Sequence, residues 1–123
     1  MSNRLEDLEI YTLSETFADE IWFIVTTWDY FTKDTVGKQL TRSADSISAN
    51  IAEGFGIYYY KENKNFCYFS RGSLIETKSW IKKSYTRNLT TEDQYKTLTS
   101  KLETVHIKLN AYIKFIGKMS NDR

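Results

Sequence analysis

At 123 residues and 41% hydrophobic, the chain is near the usual size of one domain and can bury about two thirds of its unfolded surface. With no proline, five glycines and 15% aromatic residues, it lacks the turn residues that an all-β sandwich or barrel needs. The net charge of +1 is split, with two basic and seven acidic groups in residues 1–33 against fifteen and nine in residues 34–123, so faces of opposite sign are expected rather than a uniformly basic surface.

Four stretches have helical periodicity. In the first, roughly 8–31, Ile10, Leu13, Phe17, Ile21, Ile24, Trp28 and Phe31 recur at three and four residues. The second is expected to start from Asp34 as N-cap and to reach Gly54 or Gly56. Its apolar stripe is Val36, Leu40, Ala44, Ile47, Ile51 and Phe55. The third, about 61–87, points Phe66, Phe69, Leu74, Thr77, Trp80 and Ile81 inward. In the fourth, Thr91 and Gln94 have capping-box spacing. Tyr95, Leu98, Leu102, Val105, Leu109, Tyr112 and Ile116 follow as a heptad seam. Short connections make sequential helices antiparallel neighbours. The expected fold is therefore all-α, an antiparallel up-down-up-down four-helix bundle forming a single domain over 1–123.

The lone Cys67 can form no internal disulfide, and beside Phe66 and Phe69 it reads as a core thiol. The first residues lack the apolar region of a signal peptide, and no run of 18 apolar residues exists. A soluble cytoplasmic protein without membrane contact is expected.

The second helix carries an unusual polar stripe. Gln39, Ser43, Ser46, Asn50 and Glu53 follow one another at four, three, four and three residues, beside the apolar stripe. Arg42, Asp45 and Ala49 fall on the far, solvent side. On the third helix, "RGSLIE" points Ser73 inward with Gly72 and Glu76 along one flank. A mid-helix glycine costs about 1 kcal/mol relative to alanine. Close backbone approach is the usual compensation, and Ala44, Ser48 and Ala52 would permit it from helix two.

The segments "VGKQLTRSADSISANIAEG" and "GSLIE", with "DLEIY" near the start, resemble the four-helix-bundle family encoded by intervening sequences of bacterial 23S rRNA genes. Gln39, Arg42, Ser46, Ile47, Asn50, Ile51, Ala52, Glu53, Gly54, Gly72, Ser73 and Glu76 match its pattern. The resemblance implies a homopentameric ring. It also implies a relationship to accessory subunits of diversity-generating retroelements, which bind reverse transcriptase and nucleic acid through basic surfaces.

For Gln39, Ser43, Ser46, Asn50, Glu53, Ser73 and Glu76, the expected role is a polar network that fixes helix register or the joint between subunits. The competing role, a catalytic or metal-binding pair of Glu53 and Glu76, lacks further ligands. Glu53, near a helix C-terminus, calls for a cation such as Arg42, Arg71 or a residue of a neighbouring subunit. Glu103 and His106 form a single Glu-x-x-His, whereas a di-iron bundle needs two. No catalytic residue, metal or cofactor is expected.

Lys64, Arg71, Lys78 and Lys82 form one stripe on helix three, with Lys101 and Lys108 a heptad apart on helix four. They are candidates for salt-dependent, sequence-tolerant contacts to RNA or DNA. Tyr58, Tyr59 and Tyr60 are a packing cluster or a stacking platform. The leading expectation is a non-enzymatic assembly and interaction module. The alternative is a protein-binding scaffold or accessory subunit of a nucleic-acid enzyme such as a reverse transcriptase.

Overall fold

The computed structural model describes residues 4–57 and 59–120; Tyr58 of the tyrosine cluster lies outside them. Four long helices make the architecture: α1 (Glu9–Val25), α2 (Lys38–Phe55), α3 (Tyr60–Thr86) and α4 (Glu92–Ser120). A 3-10 turn, Leu5–Asp7, precedes α1, and one α-turn, Tyr30–Thr32, runs through a π-turn, Lys33–Gly37, into α2. There is no strand among the described residues. The arrangement is a four-helix bundle.

The first helix is shorter than its apolar periodicity suggests. The hydroxyls of Thr26 and Thr27 donate back to the carbonyls of Phe23 and Ile24 at 2.8 and 2.7 Å, and the Asp29 carboxylate accepts the Thr32 amide at 2.9 Å. These local side-chain bonds end one helix and start the next. Asp29, not Asp34, is thus the N-cap, and the Thr32 backbone bond holds its carboxyl below the usual range. Asp34 lies exposed in the π-turn. Phe31 is 74% exposed rather than in the core, and Trp28 is half-buried in the turn.

Neighbouring helices run antiparallel, as paired residues show. Along α2 and α3, Arg42 meets Glu76, Ser43 meets Thr77, Ile47 meets Ser70, and Gly54 faces Asn63. Between α3 and α4, Tyr85 stacks on Tyr95 with ring centroids 4.3 Å apart, and Arg71 reaches Asn110 at 2.9 Å. Glu9 pairs with Lys108 at 3.0 Å, and Glu20 pairs with Lys101. The acidic first helix therefore lies against lysines of the last.

One apolar cluster draws on all four helices, with Phe17, Ile21, Leu40, Ile47, Ile51, Leu74, Ile81, Leu109 and Ile116 fully buried. Each such side chain contributes roughly 1.5–3 kcal/mol relative to exposure. The α4 seam is buried as its spacing indicates, with Tyr95 and Tyr112 half-buried. The capping box forms reciprocally: the Gln94 amide donates to Thr91 Oγ1 at 3.1 Å, and the Thr91 amide donates to Gln94 Oε1 at 2.9 Å.

Helix α3 departs from expectation. Its buried line is Asn63, Cys67, Ser70, Leu74, Thr77, Ile81 and Ser84, a heptad seam made largely of small or polar residues. Phe69 is 57% exposed, and Phe66 and Trp80 are half-buried on its flank. The small seam lets α2 approach closely. A Cβ on Gly54 would lie 3.0 Å from the Asn63 carbonyl oxygen and 3.0 Å from Phe66 Cβ. Gly54 is thus the glycine of close approach. Around Gly72 no described residue beyond its own helix turn lies within 4 Å of where a Cβ would be.

Candidate functional site

The polar residues at the α2–α3 seam form two layers. In the inner layer, the Thr77 hydroxyl lies 2.9 Å from Ser43 Oγ and 2.7 Å from the Ser73 carbonyl oxygen, its proton shared between two acceptors. Ser43 also donates to the Leu40 carbonyl at 3.1 Å, and Ser70 donates across the seam to the Ile47 carbonyl at 2.7 Å. Ser43, Ser70 and Thr77 are fully buried, so these bonds satisfy groups that water cannot reach.

The outer layer is built on Arg42. Its guanidinium donates to Gln39 Oε1 at 3.1 and 3.3 Å and to Glu76 Oε2 at 2.6 Å. Trp80 Nε1 donates to the same Glu76 oxygen at 3.3 Å, and the Lys83 ammonium sits 4.7 Å from the Trp80 ring centroid. Gln39, Arg42 and Glu76, matched separately in the sequence, form one cluster clamping α2 to α3. Trp80 belongs to it as well, and its i,i+4 spacing from Glu76 was the available signal.

The remaining stripe residues are local. Ser46 donates to the Arg42 carbonyl at 2.8 Å, and Asn50 donates to the Ser46 carbonyl at 2.9 Å. Ser73 is half-buried, and its carbonyl serves Thr77. Glu53 is exposed, and neither Arg42 nor Arg71 reaches it: Arg42 is bound to Glu76, while Arg71 donates to Asn110 and lies 5.1 Å from the Tyr68 ring centroid. Glu53 precedes Gly54, which faces Phe66. Glu76 is farther along α3 by about 15 Å at 1.5 Å per residue. The fold therefore does not bring these two carboxylates together.

Among the described residues, no three of His, Cys, Asp and Glu gather as a metal site would require. His106 lines a small crevice with Leu74, Lys78 and Glu103. Cys67 is fully buried, and burial pushes its thiol up to about 12, so it is a poor nucleophile.

The candidate cations divide into two groups. Lys101 and Lys108 are engaged by Glu20 and Glu9. Lys78 and Lys82 are exposed and make no ion pair among the described residues, while Lys64 is half-buried with its ammonium close to Gly117. Beside them, the outward face of α3 presents Tyr68, Phe69 and Ile75, which are 41%, 57% and 49% exposed, around the open Gly72. No helix among the described residues is long and apolar enough to cross a membrane.

No curated protein matches this sequence. Among solved structures, the chain is similar to a crystal structure of a protein of unknown function from the S23 ribosomal protein family of Bacteroides thetaiotaomicron. The TM-score is 0.77 at 22% identity, covering 85% of this chain and 95% of that one, a likeness of fold. The family model described as 23S rRNA-intervening sequence protein matches residues 6–111, which include the α2 stripe, the Arg42–Glu76 clamp and the open α3 face. The chain belongs to the 23S rRNA-intervening sequence protein family.

Proposed function

We propose that this protein is a non-catalytic subunit of a homo-oligomer, a ring of five by family resemblance, acting in the bacterial cytoplasm as an assembly and interaction module. The observation that carries this reading is the α3 face around Gly72. A glycine in the middle of a 27-residue helix costs about 1 kcal/mol relative to alanine, and no described residue uses the space it leaves. Tyr68, Phe69 and Ile75 surround it with exposed apolar surface. A helix of a second copy would bury that surface, and the missing Cβ would let its backbone come close.

Four cations without an ion pair among the described residues lie on the neighbouring flank of α3. Lys64, Arg71, Lys78 and Lys82 span about 27 Å of helix at 1.5 Å per residue. A ring would repeat the stripe, so that several weak contacts engage one RNA or DNA strand together. Lys101 and Lys108 contribute less, because Glu20 and Glu9 already neutralise them.

Fluorescence anisotropy with a labelled oligonucleotide tests the nucleic-acid part. Weak, sequence-tolerant binding should fade steeply with salt, and the share contributed by α3 should disappear when Arg71, Lys78 and Lys82 are replaced by Gln, with the oligomer intact. An oligomer that binds no oligonucleotide at low salt would favour the second reading. In that reading the exposed apolar face of α3 docks a protein, and the chain is an accessory subunit of a nucleic-acid enzyme such as a reverse transcriptase.

A further inference from the structure

A second surface, on a different side of the molecule, has its own chemistry. Where α1 turns into α2, a cleft of about 500 Å³ opens between the two helices. That is within the size range of small-ligand sites. Trp22 and Tyr30 stand in its walls, 54% and 79% exposed. Phe23 and Phe31, their sequence neighbours, are 68% and 74% exposed. Lys33, Lys38 and Arg42 also line it, against the single carboxylate of Asp34. Arg42 is committed to Glu76, but Lys33 and Lys38 make no ion pair among the described residues.

We propose that this cleft binds a nucleotide unit, a planar base with its phosphate, either free or within a single strand. Exposed aromatic rings beside unpaired cations are what single-stranded nucleic acid needs: ring faces for the bases and ammonium groups for the phosphates. A desolvated protein interface is a poorer match, because lysine is depleted there. The backbone also singles out this place. Lys33 and Gly37 bound the one π-turn among the described residues, a geometry that is rare and concentrated at functional sites. Gly37 is packed too tightly to carry a side chain, since a Cβ there would meet Val25 Cγ1 at 2.8 Å. The π-turn is thus fixed against α1, with Lys33 and Lys38 at its two ends. This site is independent of the α3 stripe.

Tryptophan fluorescence of the intact oligomer tests the proposal, with a single-stranded adenosine octanucleotide and with adenosine monophosphate as probes at low salt. The octanucleotide should quench the emission, because a base stacks on Trp22. In the Arg71, Lys78 and Lys82 to Gln background, where no strand lies beside Trp80, Trp22→Phe should remove most of the quench. Lys33→Gln with Lys38→Gln should weaken quenching about tenfold or more and reduce the salt slope by about two. Tyr30→Ala should weaken it by about tenfold. These side chains are exposed, so the variants keep the fold, which circular dichroism verifies. Quenching by adenosine monophosphate as well identifies a free nucleotide as sufficient, and quenching by the octanucleotide alone identifies a strand. The Arg71, Lys78 and Lys82 to Gln variant should keep the quench while losing only the α3 share of anisotropy binding. Absence of quenching by both probes overturns the proposal. So does a quench that persists in Trp22→Phe in that variant background, is indifferent to the Lys33 and Lys38 changes, or is lost with the α3 changes.

Discussion

Gly54 marks the point where α2 and α3 come too close for any side chain. A Cβ there would lie 2.5 Å from Asn63 Oδ1, which the Cys67 thiol holds as donor at 3.7 Å, and 3.0 Å from the Asn63 carbonyl oxygen, which moves only with the helix. Gly54→Ala should therefore destabilise the fold by about 1–3 kcal/mol, read from the midpoint of chemical denaturation. Asp45 poses an electrostatic problem instead. Partial desolvation of this exposed residue, then the nearby Asp19 carboxylate, pushes its carboxyl above the usual value. The folded chain thus holds this proton more tightly than the unfolded one. Stability present below the ordinary aspartate value is lost as pH rises through the raised one. Asp45→Asn should accordingly raise Tm at about pH 7, and the difference should shrink at about pH 3.5. An equal gain at both pH values would assign the effect to something other than titration.

Among the elements, α3 shows most clearly what a hydrophobicity pattern conveys. Helix α4 was legible from its sequence because Leu98, Leu102, Val105 and Leu109 state the heptad in large apolar residues and Thr91 with Gln94 state the start. In α3 the same heptad is written in Asn63, Cys67, Ser70, Thr77 and Ser84, while the aromatic rings fall on its flank. A reading that assigns aromatics to the core therefore places Phe69 on the wrong side. The end of α1 was hidden for a related reason, since the apolar period runs on through Trp28 and Phe31 while Asp29 caps a new helix. Of the candidate site, the α2 stripe was visible as spacing. Its division into a buried Ser43–Thr77 layer and an outer Arg42–Glu76 clamp depends on which α3 residue stands opposite, and that lies in the packing. The inner layer should behave as a unit. Ser43→Ala and Thr77→Val should each cost about 0.5–1.5 kcal/mol, and the double change should cost less than the sum. Strict additivity in a double-mutant cycle would mean that the two hydroxyls do not interact.

For the whole molecule, the split of charge along the sequence becomes an arrangement in space. The acidic α1 lies beside α4 and occupies Lys101 and Lys108, while Lys78 and Lys82 on α3 and Lys33 and Lys38 beside the α1–α2 cleft make no ion pair among the described residues. Surface ion pairs of this kind contribute only about 0–1 kcal/mol each, so their larger effect is to decide which faces stay basic. Open apolar surface lies at the α1–α2 turn and on α3, where it surrounds a glycine whose space no described residue fills. In the proposed function, another copy of the chain fills it. Sedimentation equilibrium at micromolar concentration, comparing the native chain with Gly72→Glu, tests this most directly. A Cβ on Gly72 would meet no described residue beyond its own helix turn, so glutamate there leaves the fold intact while placing a charge in the joint. The native chain should sediment as a discrete assembly near five subunits, and Gly72→Glu should dissociate towards folded monomer. A native chain that sediments as a monomer, or an assembly that Gly72→Glu leaves unchanged, would contradict the proposed function.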